Sequence, residues 1–215
     1  MSIDFLSAGE HAPEEVNAVI EVPKGGVTIK YEIDKRSGFL NVDRRLRTPL
    51  FYPANYGFIP QTLSQDGDAL DILVIGREAL VPGCMIISRP IGVLMMEDEA
   101  GRDEKILAVP VSRIDPYYDS IETYLDVPAI LMEEITHFFD LYKTLEPEKW
   151  CRVDGWEGKD KAQKLILEAM KQFKAKTIEA GSSPGCGAIK LKESPSQAQI
   201  AAFGIDTQRM ENEGG

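Results

Sequence analysis

The residues best suited to chemistry are the carboxylates of the segment Asp66-Gly67-Asp68-Ala69-Leu70-Asp71, which places three acids within six residues. Negative charges this close repel one another and raise each other's pKa unless a cation lies among them. Oxygen donors at this density suit a hard divalent cation such as Mg²⁺, Mn²⁺ or Ca²⁺. The spacing alone therefore leaves two interpretations open, a metal site and a solvated acidic turn.

A calcium-binding EF-hand is the obvious competitor for this segment. Its loop requires glycine at the sixth position and glutamate at the twelfth. Counted from Asp66, these positions hold Asp71 and Arg77, so the pattern does not match.

A second acidic cluster extends from Glu97 to Lys105 and contains five acids in its first eight residues, two of them Asp98 and Asp103. Alone, such a cluster is typical of a solvated hairpin tip. Beside the first cluster it allows another interpretation, because two acidic loops at strand ends can converge on shared ions. Paired metal ions of this kind serve phosphoryl chemistry.

Cationic and phenolic side chains complete the set of residues that could take part in a reaction. Each alone is ordinary, but together they supply the ammonium, guanidinium and hydroxyl donors that bind phosphate. The members are Lys30 (which shares a strand face with Glu32), Arg44, Tyr52, Tyr56, Tyr142 and Lys143.

The elements that must position these residues are mostly short strands. Residues 27–34 alternate apolar and polar side chains, residues 35–38 form a turn, and 39–43 continue as the partner of a hairpin. Further strands are predicted at 71–75, 85–88, 91–96 and 105–109, separated by proline and glycine. Many short strands with such punctuation indicate a small barrel or sandwich.

Two helices are predicted after the strands. Leu131, Ile135, Phe138 and Tyr142 recur at helical spacing after Pro128, and a second set does the same at residues 162–173. Beyond residue 176 the pattern decays, apart from a weak helical piece near 197–203. We therefore expect a domain at 1–176 and an appended extension at 177–215.

Composition excludes several classes of protein. The chain has 215 residues, of which 43% are hydrophobic and 27% charged, and its net charge is −11. A strongly acidic chain is unsuited to non-specific binding of nucleic acid or anionic membranes. No apolar run approaches the length of a membrane span, no secretory leader is visible, and three scattered cysteines make no disulfide framework. The expectation is a cytoplasmic protein.

Several motifs, in order along the chain, resemble those of the soluble family I inorganic pyrophosphatases of bacteria. They are IEVPKGG, KYEIDKRSG, VDR, FYPANYGFIP, DGDALD, RPIGVLMMEDEAGRDEKILAVP, HFFDLYK and GW, and the resemblance as a whole extends from about Val19 to about Lys174. The resemblance implies an α+β, mainly β fold, with a five-stranded OB-like barrel and two flanking helices. The irregular C-terminal tail expected after residue 176 has no counterpart in the family pattern.

The resemblance also implies a reaction and a set of roles. The reaction is hydrolysis of pyrophosphate with several Mg²⁺ ions per active site, for which Mn²⁺ is a possible substitute. Asp68 corresponds to the general base. The metal ligands would be Asp66, Asp71, Asp98, Asp103 and Glu32; the substrate contacts Lys30, Arg44, Tyr56, Lys105, Tyr142 and Lys143; and the supporting residues Glu21 and Tyr52. Bacterial relatives are typically hexamers, so a homohexamer is expected.

One departure from the family pattern lies inside the acidic motif, where Ala69 replaces the usual proline or glutamate. Two other functions stay open as alternatives. A metal-dependent nucleotide phosphohydrolase would need a base-stacking pocket, for which residues 51–58 are candidates. An OB-fold that binds single-stranded nucleic acid would use exposed aromatic side chains, but the net charge disfavours it.

Overall fold

The computed structural model describes residues 5–35 and 37–179. These residues form nine strands and two α-helices. The strands are β1 (Val16–Val22), β2 (Ile29–Ile33), β3 (Leu40–Arg45), β4 (Asn55–Phe58), β5 (Asp71–Val74), β6 (Met85–Asp98), β7 (Gly101–Arg102), β8 (Lys105–Pro110) and β9 (Cys151–Gly158). The helices are α1 (Ala129–Leu141) and α2 (Lys159–Glu179).

Five strands form a closed, irregular ring. The order is β1-β4-β5-β8-β6, and β6 pairs back with β1 through Val16 and Ser88 to close it. All these pairings are antiparallel except β5–β8, in which Asp71 lies opposite Lys105. The prediction of a mainly β fold with five central strands and two flanking helices is confirmed.

One glycine allows two strands of the ring to approach closely. A Cβ atom on Gly57 would lie 1.8 Å from the carbonyl oxygen of Val19 on β1. No side chain fits at this distance, so the β1–β4 pairing depends on glycine at this position.

The helices cover the ring with apolar faces. Helix α1 buries Ile135 and Phe138, as the spacing of its apolar residues predicted, and also Phe139. The Phe138 ring lies 4.6 Å from that of Tyr52 (centroid to centroid), so the helix packs directly on residues beside the strands. Helix α2 buries Ala162 and Ile166 in a second apolar cluster on the ring.

The predicted hairpin exists as a separate two-stranded sheet of β2 and β3, with Lys30 opposite Arg44. Two contacts dock it on the ring. Ile33 packs against Val19 and Phe58, and its backbone N–H donates to Glu21 Oε1 at 2.8 Å. The hairpin therefore places its polar face at one end of the ring.

Three expectations about strands were wrong or incomplete. Residues 85–98 are one strand and not two, because the strand passes Pro90 through an irregularity in its register with β8. Residues 151–158, for which no strand was predicted, are strand β9. Strands β1 and β4 carried no alternating pattern and were not predicted.

Among the described helices none is long and apolar enough to cross a membrane. The predicted extension lies outside the described residues beyond Glu179, and so does its weak helical piece at 197–203. Helix α2 itself continues three residues past the predicted boundary at 176.

Candidate active site

A single cleft of about 210 Å³ collects every residue that the sequence singled out. Its lining includes the acids Glu21, Glu32, Asp66, Asp68, Asp71, Asp98 and Asp103, the bases Lys30, Arg44, Lys105 and Lys143, and the phenols Tyr52, Tyr56 and Tyr142. They come from the hairpin, β1, the region of β4, the acidic segment that leads into β5, the region from the end of β6 to the start of β8, and the end of α1. The convergence of the two acidic segments agrees with the sequence-based expectation, whereas the roles of the residues stay predictions.

The parallel register of β5 and β8 creates the central ion cluster. Lys105 is 2% exposed, and its ammonium contacts both Asp71 and Asp103. The Tyr56 hydroxyl donates to Asp71 Oδ2 at 2.6 Å. Burial would lower the pKa of Lys105, but the two carboxylates outweigh it and raise that pKa, so the ammonium stays charged. Burial raises the pKa of Asp103.

A second cluster joins the β6–β7 turn to the end of α1. Lys143 Nζ donates to Asp98 Oδ2 at 2.6 Å and lies 3.3 Å from Glu99 Oε2. Burial opposes ionisation of Asp98, but the hydrogen bond from Lys143 prevails and lowers the pKa of this carboxyl. Glu99 was not among the predicted site residues, although it belongs to the acidic cluster and adjoins Asp98.

The hairpin contributes a third group of charges. Lys30 Nζ lies 2.5 Å from Glu32 Oε1 and 3.4 Å from Asp43 Oδ2. Arg44 contacts the same Asp43 at 2.6 Å and donates to Glu146 Oε1 at 3.2 Å. Asp43 and Glu146 were not predicted. The signal for Asp43 was its place beside Arg44 in the VDR motif, whereas Glu146 is distant in sequence from its partner and carried no signal.

The acidic loop before β5 holds Asp66 and Asp68 differently. Asp66 Oδ1 accepts from the backbone N–H of Asp68 at 3.0 Å, so it fixes the local turn. The Asp68 carboxylate accepts from Lys35 Nζ at 2.8 Å. This hydrogen bond lowers the pKa of Asp68, so the side chain is a carboxylate at neutral pH. Lys35, in the hairpin turn, was not a predicted site residue.

Burial raises the pKa values of Glu21 and of the three phenols in the cleft. Burial raises the pKa of Glu21 to about 8, even though the carboxyl accepts a backbone hydrogen bond from Ile33. Burial also raises the pKa of Tyr52 to about 12, and raises those of Tyr56 and Tyr142 well above the usual value. All three phenols are therefore protonated at neutral pH and can donate hydrogen bonds.

The donor set of the cleft fits a hard divalent cation, because its ligating atoms are carboxylate oxygens without histidine or cysteine. These carboxylates contact lysines instead of one another. Accordingly, residues 5–35 and 37–179 contain no group of three or more acid, histidine or cysteine side chains arranged to bind a metal ion.

Acids, fixed cations and phenols around one small cleft define an enzyme that acts on a small, highly charged anion. Comparison with known proteins gives the particular family. The family model described as inorganic pyrophosphatase matches residues 18–174. The chain therefore belongs to the inorganic pyrophosphatases, the hydrolases that split pyrophosphate into orthophosphate.

Individual relatives agree with this assignment. The chain is 52% identical to the inorganic pyrophosphatase of Agrobacterium fabrum, over 81% of this chain and 98% of that protein. It is 53% identical to that of Brucella melitensis, over 82% of this chain and 100% of the relative. The structure of the inorganic pyrophosphatase from Coxiella burnetii has a TM-score of 0.76 and 46% identity, covering 78% of this chain and 99% of that one.

Proposed function

We propose that the cleft hydrolyses pyrophosphate by attack of a metal-activated water, with Asp68 as general base and several Mg²⁺ ions in the site. The observation that carries the proposal is the interleaving of carboxylates and ammonium groups in one cleft. A polyanion cannot approach carboxylates alone, but it can bind where cations of the protein and of the solution lie between them.

The ions would be held by Asp66, Asp71, Asp98, Asp103 and Glu32. When bound, Mg²⁺ would supply charge neutralisation for the phosphate oxygens and a lowered pKa for the attacking water. Mn²⁺ has similar ligand preferences and can substitute for it.

The side chains of the protein would accept the proton and bind the phosphate groups. Asp68 is ionised, exposed and lines the cleft, so it is in the form that can accept a proton from water. Lys30, Arg44, Lys105 and Lys143 would bind phosphate oxygens and stabilise the charge of the leaving group. Tyr56 and Tyr142 would donate hydrogen bonds without adding charge. No covalent intermediate is needed, since the attacking group is water.

A phosphate-release assay tests the proposal. We expect release from pyrophosphate with Mg²⁺, loss of release when EDTA is added, and recovery when Mg²⁺ is restored. ATP in parallel reactions separates this activity from that of a nucleotide phosphohydrolase. Release that is unaffected by EDTA, or equal rates on ATP and pyrophosphate, would contradict the proposal.

Three further features are part of the same proposal. We infer a homohexamer in the cytoplasm, without nucleic-acid or membrane partners, and a division of the chain into residues 1–176 and 177–215. The oligomeric state is tested by light scattering coupled to size-exclusion chromatography, where a mass near that of one chain would contradict the hexamer.

A further inference from the structure

Hydrogen bonds among Asp34, Ser37 and Gly38 join the two strands at the turn between β2 and β3. The Asp34 side chain accepts from the backbone N–H and the hydroxyl of Ser37, at 2.6 and 2.8 Å. The Gly38 N–H donates to the Asp34 carbonyl at 2.7 Å, and Gly38 has the positive φ of 74° that this turn requires. These bonds fix the chain on both sides of the turn from which Lys35 projects.

Lys35 reaches from this turn to the acidic loop, 33 residues further along the chain. Its ammonium donates to Asp68 Oδ1 at 2.8 Å and lies 5.5 Å from the centre of the Phe58 ring. Phe58 is buried in the ring of strands, where Ile33 packs on it. The turn and the ring therefore define the position of the ammonium group together.

We propose that Lys35 is a positioning residue for Asp68, which it orients by holding one carboxylate oxygen so that the other faces the cleft. This inference rests on the proposed role of Asp68 as general base. The backbone of the acidic loop is held separately, through the bond from the Asp68 N–H to Asp66. Lys35 therefore acts on the direction of the carboxylate and not on the course of the loop.

The exposure of the two partners separates this role from a contribution to folding. The side chain of Lys35 is 42% exposed and that of Asp68 is 80% exposed. Ion pairs between exposed side chains contribute little to stability. In contrast, small displacements of a reacting group reduce rates strongly. Loss of Lys35 should consequently change turnover and leave thermal stability unchanged.

Kinetics of the full-length enzyme with Mg²⁺ and pyrophosphate test the inference. Lys35→Met is expected to lower kcat about tenfold with little change in KM, since only the orientation of a reacting group is lost. Lys35→Arg retains a donor and should recover most of the rate. Lys164→Met, a substitution of an exposed lysine on α2, is the matched control and should leave kcat unchanged.

A double-mutant cycle with Asp68→Asn makes the test specific. If Lys35 acts through Asp68, Lys35→Met should cause no further loss in the Asp68→Asn background. An equal loss in both backgrounds, an effect on KM alone, or an unchanged kcat would overturn the inference. A normal kcat in Asp68→Asn alone would instead overturn the proposed base, so the two failures are distinguishable.

Discussion

At the scale of single residues, the lysines of the cleft have an unusual environment. Lys105 and Lys143 are almost completely buried, and each contacts two acidic side chains. Buried ion pairs of this kind contribute little net stability, because desolvation offsets the attraction. Under the proposed mechanism these cations, already fixed in place, would bind phosphate without reorganisation.

Asp68→Asn tests the residue proposed to accept the proton of water. The amide keeps the shape of the side chain but cannot take up a proton at neutral pH. We expect kcat to fall by about two to four powers of ten, the usual range for loss of a general base. The measurement is steady-state phosphate release at saturating Mg²⁺, with Asp160→Asn on the exposed start of α2 as the control. An unchanged kcat would remove Asp68 from this role.

Glu21 predicts a pH dependence of stability. Its pKa is about 8 in the folded chain against 4.5 for an ordinary glutamate, because burial disfavours the carboxylate. A raised pKa means that the folded state binds the proton more tightly than the unfolded state. The stabilising contribution of Glu21 is therefore complete below pH 4.5 and is lost as the pH rises through 8.

Glu21→Gln removes this titration. The free energy of unfolding of the unmodified chain, relative to Glu21→Gln, should fall by about 2–4 kcal/mol between about pH 5 and about pH 9. Urea denaturation with EDTA present measures it, and the exposed Glu168→Gln is the control. A difference that does not change with pH would contradict the argument.

At the scale of elements, the β2–β3 hairpin contributes to the site from outside the main sheet. Its docking on the ring depends on Ile33, which packs with Val19 and Phe58. The same strand carries Lys30 and Glu32. The position of these two site residues therefore depends on a small hydrophobic cluster.

Ile33→Ala should consequently affect stability and activity together. We expect the free energy of unfolding to fall by about 2–3 kcal/mol, since a large buried side chain leaves a cavity. The catalytic efficiency should fall with it as β2 shifts. Val42→Ala on the neighbouring strand is the control, because Val42 is 65% exposed and such changes cost less than about 0.5 kcal/mol. Equal effects of the two substitutions would show that Ile33 does not anchor the hairpin.

The elements also differ in how far the sequence predicts them. The hairpin could be predicted because apolar and polar side chains alternate along β2, which gives the strand one polar face. Strand β1 is buried on nearly all sides, with Asn17 as its single half-buried residue, so it shows no alternation. Strand β4 is only four residues long and contains Gly57. Its place depends on contacts with distant strands, which no local pattern encodes.

The candidate site was more predictable than the strands that carry it. Motifs such as DGDALD contain the residue types that the chemistry requires, so the resemblance identified most of the acids, bases and phenols of the cleft directly. Two residues that sequence reasoning missed contact predicted site residues that are distant in sequence. Glu146 contacts Arg44 across 102 positions, and Lys35 contacts Asp68 across 33. Only the folded chain brings such pairs together.

At the scale of the whole molecule, the chain is longer than the pyrophosphatases of Agrobacterium fabrum and Brucella melitensis, because about four fifths of it covers nearly all of each. Every predicted site residue lies between Glu21 and Lys143, and the family match ends at residue 174. A chain that ends after Glu179 should therefore keep its kcat within about twofold. Phosphate release by both chains measures this, and a large loss in the shorter chain would assign the extension a role in catalysis.

The closed ring has a kinetic consequence. Each of its five strands supplies a side chain to the cleft. The ring closes through the pairing of Val16 on β1 with Ser88 on β6, which are distant in sequence. Chains dominated by such distant pairings fold slowly, in milliseconds to seconds. Enzymatic turnover should therefore return last during refolding, after helix signals have recovered, which makes it a sensitive reporter of the final folding step.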